Sequence, residues 1–129
     1  MKRILIADDD RVTVQVVSSV LKAAGYDLSV AYDGMQAVMM AVKQPPDAVI
    51  LDIGMPGGTG LHVLERLRAS SKTTAVPILV ITALTDPKLP DRVRTLGAND
   101  FLPKPVAADR LRAALERILG TTAPEGPSA

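Results

Sequence analysis

Five short apolar runs recur along the chain, and they constrain its fold more than any other feature. They are Ile4–Ala7, Leu28–Ala31, Ala48–Leu51, Ile78–Ile81 and Phe101–Leu102. Several are apolar at consecutive positions, which is typical of strands that are covered on both faces of a parallel sheet. None approaches the roughly 20 residues that cross a bilayer. The runs therefore predict buried strands.

Segments with helical periodicity follow the apolar runs. Four of them carry clear apolar stripes, within residues 16–24, 37–42, 61–67 and 111–118. In the first stripe Val16 shares a face with Val17 and Leu21, and Gly25 offers a helix stop. The remaining segment contains Pro87 and Pro90, so its helix should be short and begin near Pro90. Alternating strands and helices predict an α/β, doubly wound sheet of five parallel strands with five helices.

Length and composition indicate one domain. The chain has 129 residues and is 47% hydrophobic with 2% aromatic residues, which suits a single aliphatic core. We expect this domain to span 1–119. Residues 120–129 are rich in Gly, Pro, Ser, Thr and Ala, so we expect a flexible linker or C-terminal tail there.

The charge balance and the missing cysteines exclude several function classes. The net charge is +1, from 15 basic and 14 acidic residues, which gives no electrostatic case for binding nucleic acid or a membrane. The absence of Cys rules out disulfides and Cys-ligated metals. The N-terminus has no signal-peptide pattern, and we expect a cytoplasmic protein.

Polar side chains follow four of the predicted strands. The first strand ends in Asp8-Asp9-Asp10, the third in Asp52, the fourth in Thr82, and the fifth leads to Lys104. The carboxyl ends of parallel strands meet at one edge of the sheet, where open α/β sheets bind ligands. Clustered carboxylates favour a divalent cation with oxygen ligands, such as Mg²⁺. A metal, a hydroxyl and an ammonium together suit a phosphoryl group.

These motifs resemble the receiver domain of bacterial two-component response regulators, including the single-domain chemotaxis regulator. The landmarks are "ADDD", "LDIGMPG", "ITA", "GANDF" and "PKP", and their order and spacing agree over about residues 2–119. The resemblance implies a flavodoxin-like fold with strand order 2-1-3-4-5. It also implies a phosphoacceptor switch that catalyses only its own phosphorylation and dephosphorylation.

The resemblance assigns a role to each site residue. Asp52 would accept a phosphoryl group from a sensor histidine kinase, a phosphotransfer protein or a small acyl phosphate. Asp8 and Asp9 would hold Mg²⁺ together with Asp52 and the backbone carbonyl of Gly54, and Lys104 would pair with a phosphate oxygen.

The resemblance also implies a conformational switch. The Thr82 hydroxyl would move to bond the phosphate, and Phe101 would swing inward behind it. The Lys104–Pro105 peptide bond would be cis. Phosphorylation would control the binding of an output domain or target protein and could produce a dimer.

Other interpretations of the same residues stay open. Asp10 could cap the first helix, and Phe101 could be an ordinary core residue. The stretch from Asp8 to Val12 also resembles the first motif of haloacid-dehalogenase-type phosphatases, with Asp8 as nucleophile and Asp10 as general acid. That hypothesis leaves Asp52 unexplained. A receiver that binds partners without phosphorylation is a further alternative.

Several residues are expected to have no part in the site. The pairs Arg66/Arg68 and Arg92/Arg94 should lie on solvated faces. His62 should be a surface residue. The three methionines of the second helix, Met35, Met39 and Met40, should pack or lie partly exposed.

Overall fold

The computed structural model describes residues 2–55 and 60–120, within which five strands alternate with five helices. The strands are β1 (Arg3–Ala7), β2 (Asp27–Ala31), β3 (Ala48–Asp52), β4 (Ile78–Thr82) and β5 (Asp100–Pro103). The helices are α1 (Arg11–Ala23), α2 (Gly34–Lys43), α3 (Gly60–Ala69), α4 (Leu89–Thr95) and α5 (Ala108–Leu119). Every predicted apolar run lies within one strand.

The strands form one parallel sheet in the order β2-β1-β3-β4-β5. The predicted doubly wound fold and its strand order are therefore confirmed. The order reverses direction at β1 and β3, which are neighbours in the middle of the sheet. A crevice at such a reversal is where open α/β sheets bind ligands.

Two separate hydrophobic cores cover the two faces of the sheet. Leu5 and Val49 face the core formed with α2, α3 and α4. Ile4 and Ile50 face the core formed with α1 and α5. Successive strand residues thus point into different cores, which explains why the central runs are apolar at consecutive positions. The edge strands β2 and β5 are only partly buried.

Local signals in the sequence set the ends of α1. The Asp10 side chain accepts a hydrogen bond from the backbone of Val12 and caps the helix, as the capping interpretation predicts. Gly25, with φ +91°, follows the last turn and supports the predicted stop. The prediction that Val16 belongs to the buried stripe is wrong, because Val16 is 48% exposed and Val14 is buried instead.

Helix α4 is short, as the two prolines predict. It spans Leu89–Thr95, with Pro90 in its first turn, where a missing N–H costs no hydrogen bond. Leu89 and Val93 bury its inner face. This helix packs beside β4 and β5 on the α2–α3 side of the sheet.

Arg68 contradicts the prediction that it lies on a solvated face. Its guanidinium donates hydrogen bonds to the carbonyl oxygens of Val76 (2.6 Å), Thr74 (3.1 Å) and Gly97 (2.9 Å) and to Asn99 Oδ1 (2.9 Å). The side chain therefore connects the end of α3 to the loops before β4 and β5. Arg66, Arg92 and Arg94 are exposed as predicted, and so is His62.

Two sequence predictions fall mostly or partly outside the described residues. Of the predicted tail at 120–129, the structure describes only Gly120. The last part of the "LDIGMPG" motif, Pro56 and Gly57, also lies outside. Among the described helices, none is long and apolar enough to cross a membrane.

Candidate functional site

The strand register brings the predicted site residues to one edge of the sheet. Ala7 pairs with Leu51, and Asp52 pairs with Ile81. Thr82 in turn pairs with Pro103, directly before Lys104. The carboxyl ends of β1, β3, β4 and β5 are therefore aligned across the sheet. The residues that follow β1 and β5 lie close to Asp52 at the end of β3. Hydrogen bonds and ion pairs join Asp8, Asp10, Asp52 and Lys104.

Asp8 is completely buried at the end of β1. Its Oδ1 accepts a hydrogen bond of 2.9 Å from the backbone N–H of Asp10. Its Oδ2 lies 3.0 Å from Lys104 Nζ but accepts no well-directed hydrogen bond among the described residues. Burial disfavours the charged form and raises the pKa of Asp8 to about 6, although the Asp10 N–H and Lys104 oppose this shift.

Asp52 is 5% exposed at the end of β3. Its Oδ1 accepts a hydrogen bond of 3.0 Å from the Gly54 N–H, and its Oδ2 accepts one of 3.2 Å from Lys104 Nζ. One oxygen is thus held by the loop and the other by a cation. These two bonds fix the orientation of the carboxylate at the edge of the sheet.

Lys104 lies among three carboxylates. Its Nζ is 3.0 Å from Asp8, 3.2 Å from Asp52 and 3.9 Å from Asp10. Partial burial favours the neutral amine, but the hydrogen bonds and charges of Asp8 and Asp52 outweigh it and raise the pKa of Lys104. The ammonium is therefore retained at neutral pH. The peptide bond to Pro105 is cis, as the resemblance implies.

The acidic residues suit a divalent cation. Asp8, Asp9 and Asp52 each offer an oxygen, and these atoms lie within 4.8 Å of one another. The buried Oδ2 of Asp8 has spare acceptor capacity, since it accepts no well-directed hydrogen bond from the described residues. Carboxylate oxygens are hard ligands of the kind that Mg²⁺ prefers. The donor set therefore fits Mg²⁺.

Thr82 and Phe101 occupy adjacent strands near this cluster. Thr82 is 1% exposed, and its hydroxyl oxygen accepts a hydrogen bond of 3.1 Å from the Leu84 N–H. Phe101 pairs with Val80 across β4 and β5 and packs, partly buried, against the core below α4. Phe101 lies two residues before the strand end and not at the site edge itself.

Two features of the site were missed by the sequence analysis. Gly60, at the start of α3, donates a backbone hydrogen bond to Ile53, and a Cβ there would lie 2.0 Å from Ile53 Cα. Only glycine permits this approach beside the loop that follows Asp52. The sequence places Asp10 at the same edge as Lys104 but does not predict that they pair, and the structure brings them within ion-pair distance. The Asp10–Lys104 contact joins residues far apart in the sequence, and the Gly60–Ile53 approach depends on how α3 packs against the end of β3, so neither has a local signal in the sequence.

Comparison with known proteins agrees with this geometry. The family model for the response regulator receiver domain matches residues 4–116. The response regulator MprA of Mycobacterium avium is 40% identical over 125 residues, which cover 95% of this chain and 53% of that protein. The chain thus spans about half the length of this relative.

Two solved structures have the same fold. Chemotaxis protein CheY4 of Vibrio cholerae superposes with a TM-score of 0.85 at 34% identity, covering 92% of this chain and 98% of that one. The receiver domain of sensor histidine kinase PA1611 from Pseudomonas aeruginosa gives 0.84 at 30% identity, covering 92% and 94%. That structure has a magnesium ion coordinated in its active site cleft. The family match extends over nearly all of the described sheet and helices, and the chain belongs to the response regulator receiver domains of two-component systems.

Proposed function

We propose that this chain is a phosphoacceptor signalling switch in which Asp52 receives a phosphoryl group in a Mg²⁺-dependent reaction. The position of the Asp52 carboxylate carries the proposal. It ends a fully buried central strand, and its Oδ2 lies 3.2 Å from the Lys104 ammonium. An oriented carboxylate beside a cation and further acids suits an anionic phosphorus centre.

The proposed step transfers a phosphoryl group to Asp52. A carboxylate oxygen attacks phosphorus while the bond to the donor's histidine nitrogen breaks, and its electron pair stays on the imidazole. With a small acyl phosphate, the pair stays on the departing carboxylate oxygen. Lys104 stabilises the negative charge on the phosphoryl oxygens. Hydrolysis of the acyl phosphate by water later restores Asp52 and releases inorganic phosphate.

The residues that would hold Mg²⁺ are Asp8, Asp9, Asp52 and the backbone carbonyl of Gly54. When bound, the ion supplies positive charge that offsets the repulsion between carboxylates and an anionic donor. The cluster of oxygens within 4.8 Å supports this assignment. So does the magnesium ion in the cleft of the PA1611 receiver domain.

Thr82 and Phe101 are the proposed switch. The Thr82 hydroxyl oxygen accepts a hydrogen bond from the Leu84 N–H, and its proton is the group that would donate to a phosphate oxygen. Phe101 lies on the neighbouring strand, partly buried against the core. A displacement of the β4–α4 loop towards the site would free space for the ring to move inward. New charge and acceptor oxygens thus bias two arrangements of this loop.

The proposed partners follow from this chemistry. A sensor histidine kinase or a phosphotransfer protein supplies the phosphoryl group, and the altered surface controls the binding of an output domain or target, with a phosphorylation-dependent dimer as one form of output. We propose no catalysis beyond the chain's own phosphorylation and dephosphorylation.

The phosphatase hypothesis has less support. Asp10, its general acid, is engaged as the cap of α1, where it accepts hydrogen bonds from the Val12 N–H and the Thr13 hydroxyl. The Thr13 bond is the main cause of the lowered pKa of Asp10, so this carboxyl holds a proton less readily than a general acid must. Asp8, its nucleophile, has no exposed surface. Asp52 has no role in that scheme.

Intact-mass spectrometry with a small acyl-phosphate donor tests the proposal. The wild type should gain one phosphoryl group with Mg²⁺ and none with a chelator, and Asp52→Asn should gain none. Asp27→Asn, at an exposed residue of β2, is the matched control and should label like the wild type. Labelling that persists in Asp52→Asn would refute the assignment.

A further inference from the structure

An open groove lies along the outer surface of α2. It has a volume of about 800 Å³, and Arg66 of α3 contributes to its lining. Its apolar lining comes from five residues of α2, which are Met35, Val38, Met39, Met40 and Val42. None of these residues belongs to the site around Asp52. The groove is therefore a second candidate surface for binding.

The most exposed part of the groove is formed by two methionines. Met35 and Met39 are 63% and 65% exposed, and they lie one helical turn apart on the same face. Methionine side chains are flexible and polarizable, and they are common at surfaces that bind apolar partners. Val38 is 7% exposed and forms part of the floor. The groove thus offers an adaptable apolar surface to a partner.

The charges around the groove are unbalanced. Lys43 and Arg66 are exposed, and neither side chain has an ion-pair or hydrogen-bond partner within residues 2–55 and 60–120. Asp33, at the other end of α2, accepts a hydrogen bond from the Gln36 N–H as the helix cap. Two unpaired cations beside an apolar strip complement a ligand that combines apolar and acidic groups.

We infer that this groove binds an amphipathic helix of a partner protein, with its apolar stripe on Met35 and Met39 and acidic side chains beside Lys43 and Arg66. Helix α2 has ten residues and is therefore about 15 Å long. A partner helix of about three turns, with apolar residues at positions i, i+3 or i+4 and i+7, matches this length. Binding does not depend on the chemistry at Asp52.

A phage-displayed library of amphipathic helices, selected against the full chain, tests the inference. The enriched peptides should carry Asp or Glu beside an apolar stripe. A fluorescein-labelled copy of the most enriched peptide should then bind the wild type and Asp52→Asn equally by anisotropy. Met39→Glu and Arg66→Glu should each weaken its binding about tenfold or more.

Matched variants separate the groove from general surface properties. Val16→Glu changes another exposed apolar residue, and Arg92→Glu changes another exposed cation, so both should bind the peptide like the wild type. Circular dichroism should show all four variants folded. Failure to enrich any peptide, or enrichment of peptides that lack acidic residues, would overturn the inference.

Two other occupants of the groove would also overturn it. Binding to vesicles of anionic lipid that is lost in Met39→Glu would indicate a membrane surface. A dimer in analytical ultracentrifugation that dissociates in Met39→Glu, without phosphorylation, would indicate a second copy of the chain.

Discussion

At the scale of single residues, the cluster of Asp8, Asp10, Asp52 and Lys104 lowers the stability of the fold in order to keep the charges that the proposed reaction needs. Asp8 is fully buried with one oxygen that lacks a well-directed hydrogen bond, and Lys104 is its nearest cation. A buried charge of this kind costs stability unless a partner compensates it. The site thus keeps three carboxylates close to one ammonium, which a fold selected for stability alone would avoid.

This loss of stability predicts that Asp8→Asn stabilises the metal-free protein. An amide keeps the acceptor for the Asp10 N–H but carries no charge, so the free energy of unfolding in a chelator should rise by roughly 1–3 kcal/mol. Urea unfolding with and without Mg²⁺ measures the effect. Mg²⁺ should stabilise the wild type by mass action and the variant much less. A destabilised variant in the chelator would contradict the argument.

Thr82 supports a second prediction at this scale. On phosphorylation, the NMR signals of the Phe101 ring should shift in the wild type. In Thr82→Ala, Asp52 should still accept the phosphoryl group. The shift of the Phe101 signals should be lost, because no hydroxyl remains at position 82 to donate a hydrogen bond to the phosphoryl group. Thr82→Ser keeps the hydroxyl and should restore the shift. An unchanged Phe101 response in Thr82→Ala would remove Thr82 from the switch.

At the scale of secondary structure elements, Arg68 joins α3 to two loops at the amino-terminal edge of the sheet. Its hydrogen bonds to Gly97, Val76 and Asn99 come from Nε, Nη1 and Nη2, so all three guanidinium nitrogens donate. The Asn99 oxygen also accepts the Ile78 N–H at the start of β4. The start of β4 and the loop before β5 therefore share one anchoring side chain.

Arg68→Lys should destabilise the protein by about 2–4 kcal/mol, because an ammonium cannot reach these acceptors together and leaves several unpaired. Arg66→Lys is the matched control on the same helix, and it should change stability by less than about 0.5 kcal/mol. Chemical denaturation of the two variants gives the comparison. Equal effects would show that the hydrogen bonds of Arg68 contribute little.

The elements themselves were largely predictable from the sequence, whereas some of their contacts were not. The central strands were predictable because their consecutive residues are apolar, since alternate residues pack into the two different cores. The position of the site was predictable because the carboxyl ends of parallel strands lie at one edge of the sheet. The exposure of Val16 was missed because the spacing of apolar residues shows that they share a helix face but does not show which residues at the border of that face are buried. Arg68 was missed because its acceptors come from loops that only the tertiary structure brings together.

At the scale of the whole molecule, β5 connects the helices on its two sides through one carboxylate. Asp100 forms ion pairs with Arg94 of α4, at 3.3 Å, and with Arg117 of α5. Partial burial would raise the pKa of Asp100, but the hydrogen bonds from Arg117 and the Phe101 N–H, with both arginine charges, lower it overall. The two faces of the sheet are thus joined by charge as well as by packing.

This linkage predicts a pH dependence of stability. The pKa of Asp100 is lower in the folded protein than in the unfolded chain, so its stabilising effect is fully present above 3.8 and disappears as the pH falls through the folded value. Asp100→Asn should therefore cost roughly 1 kcal/mol at pH 7 and progressively less towards pH 3. Val16→Asn, at an exposed residue without a titratable group, should show no such trend. A cost that is independent of pH would contradict the linkage.

The central claim is that Asp52 carries the phosphoryl group, and borohydride trapping tests it most directly. Borohydride reduces an aspartyl phosphate to homoserine, and peptide mass spectrometry then locates the modified residue. After incubation with an acyl phosphate and Mg²⁺, we expect homoserine at position 52 alone and none in a chelator. Homoserine at position 8 would instead support the phosphatase hypothesis, and its absence from both positions would contradict phosphorylation of this cluster.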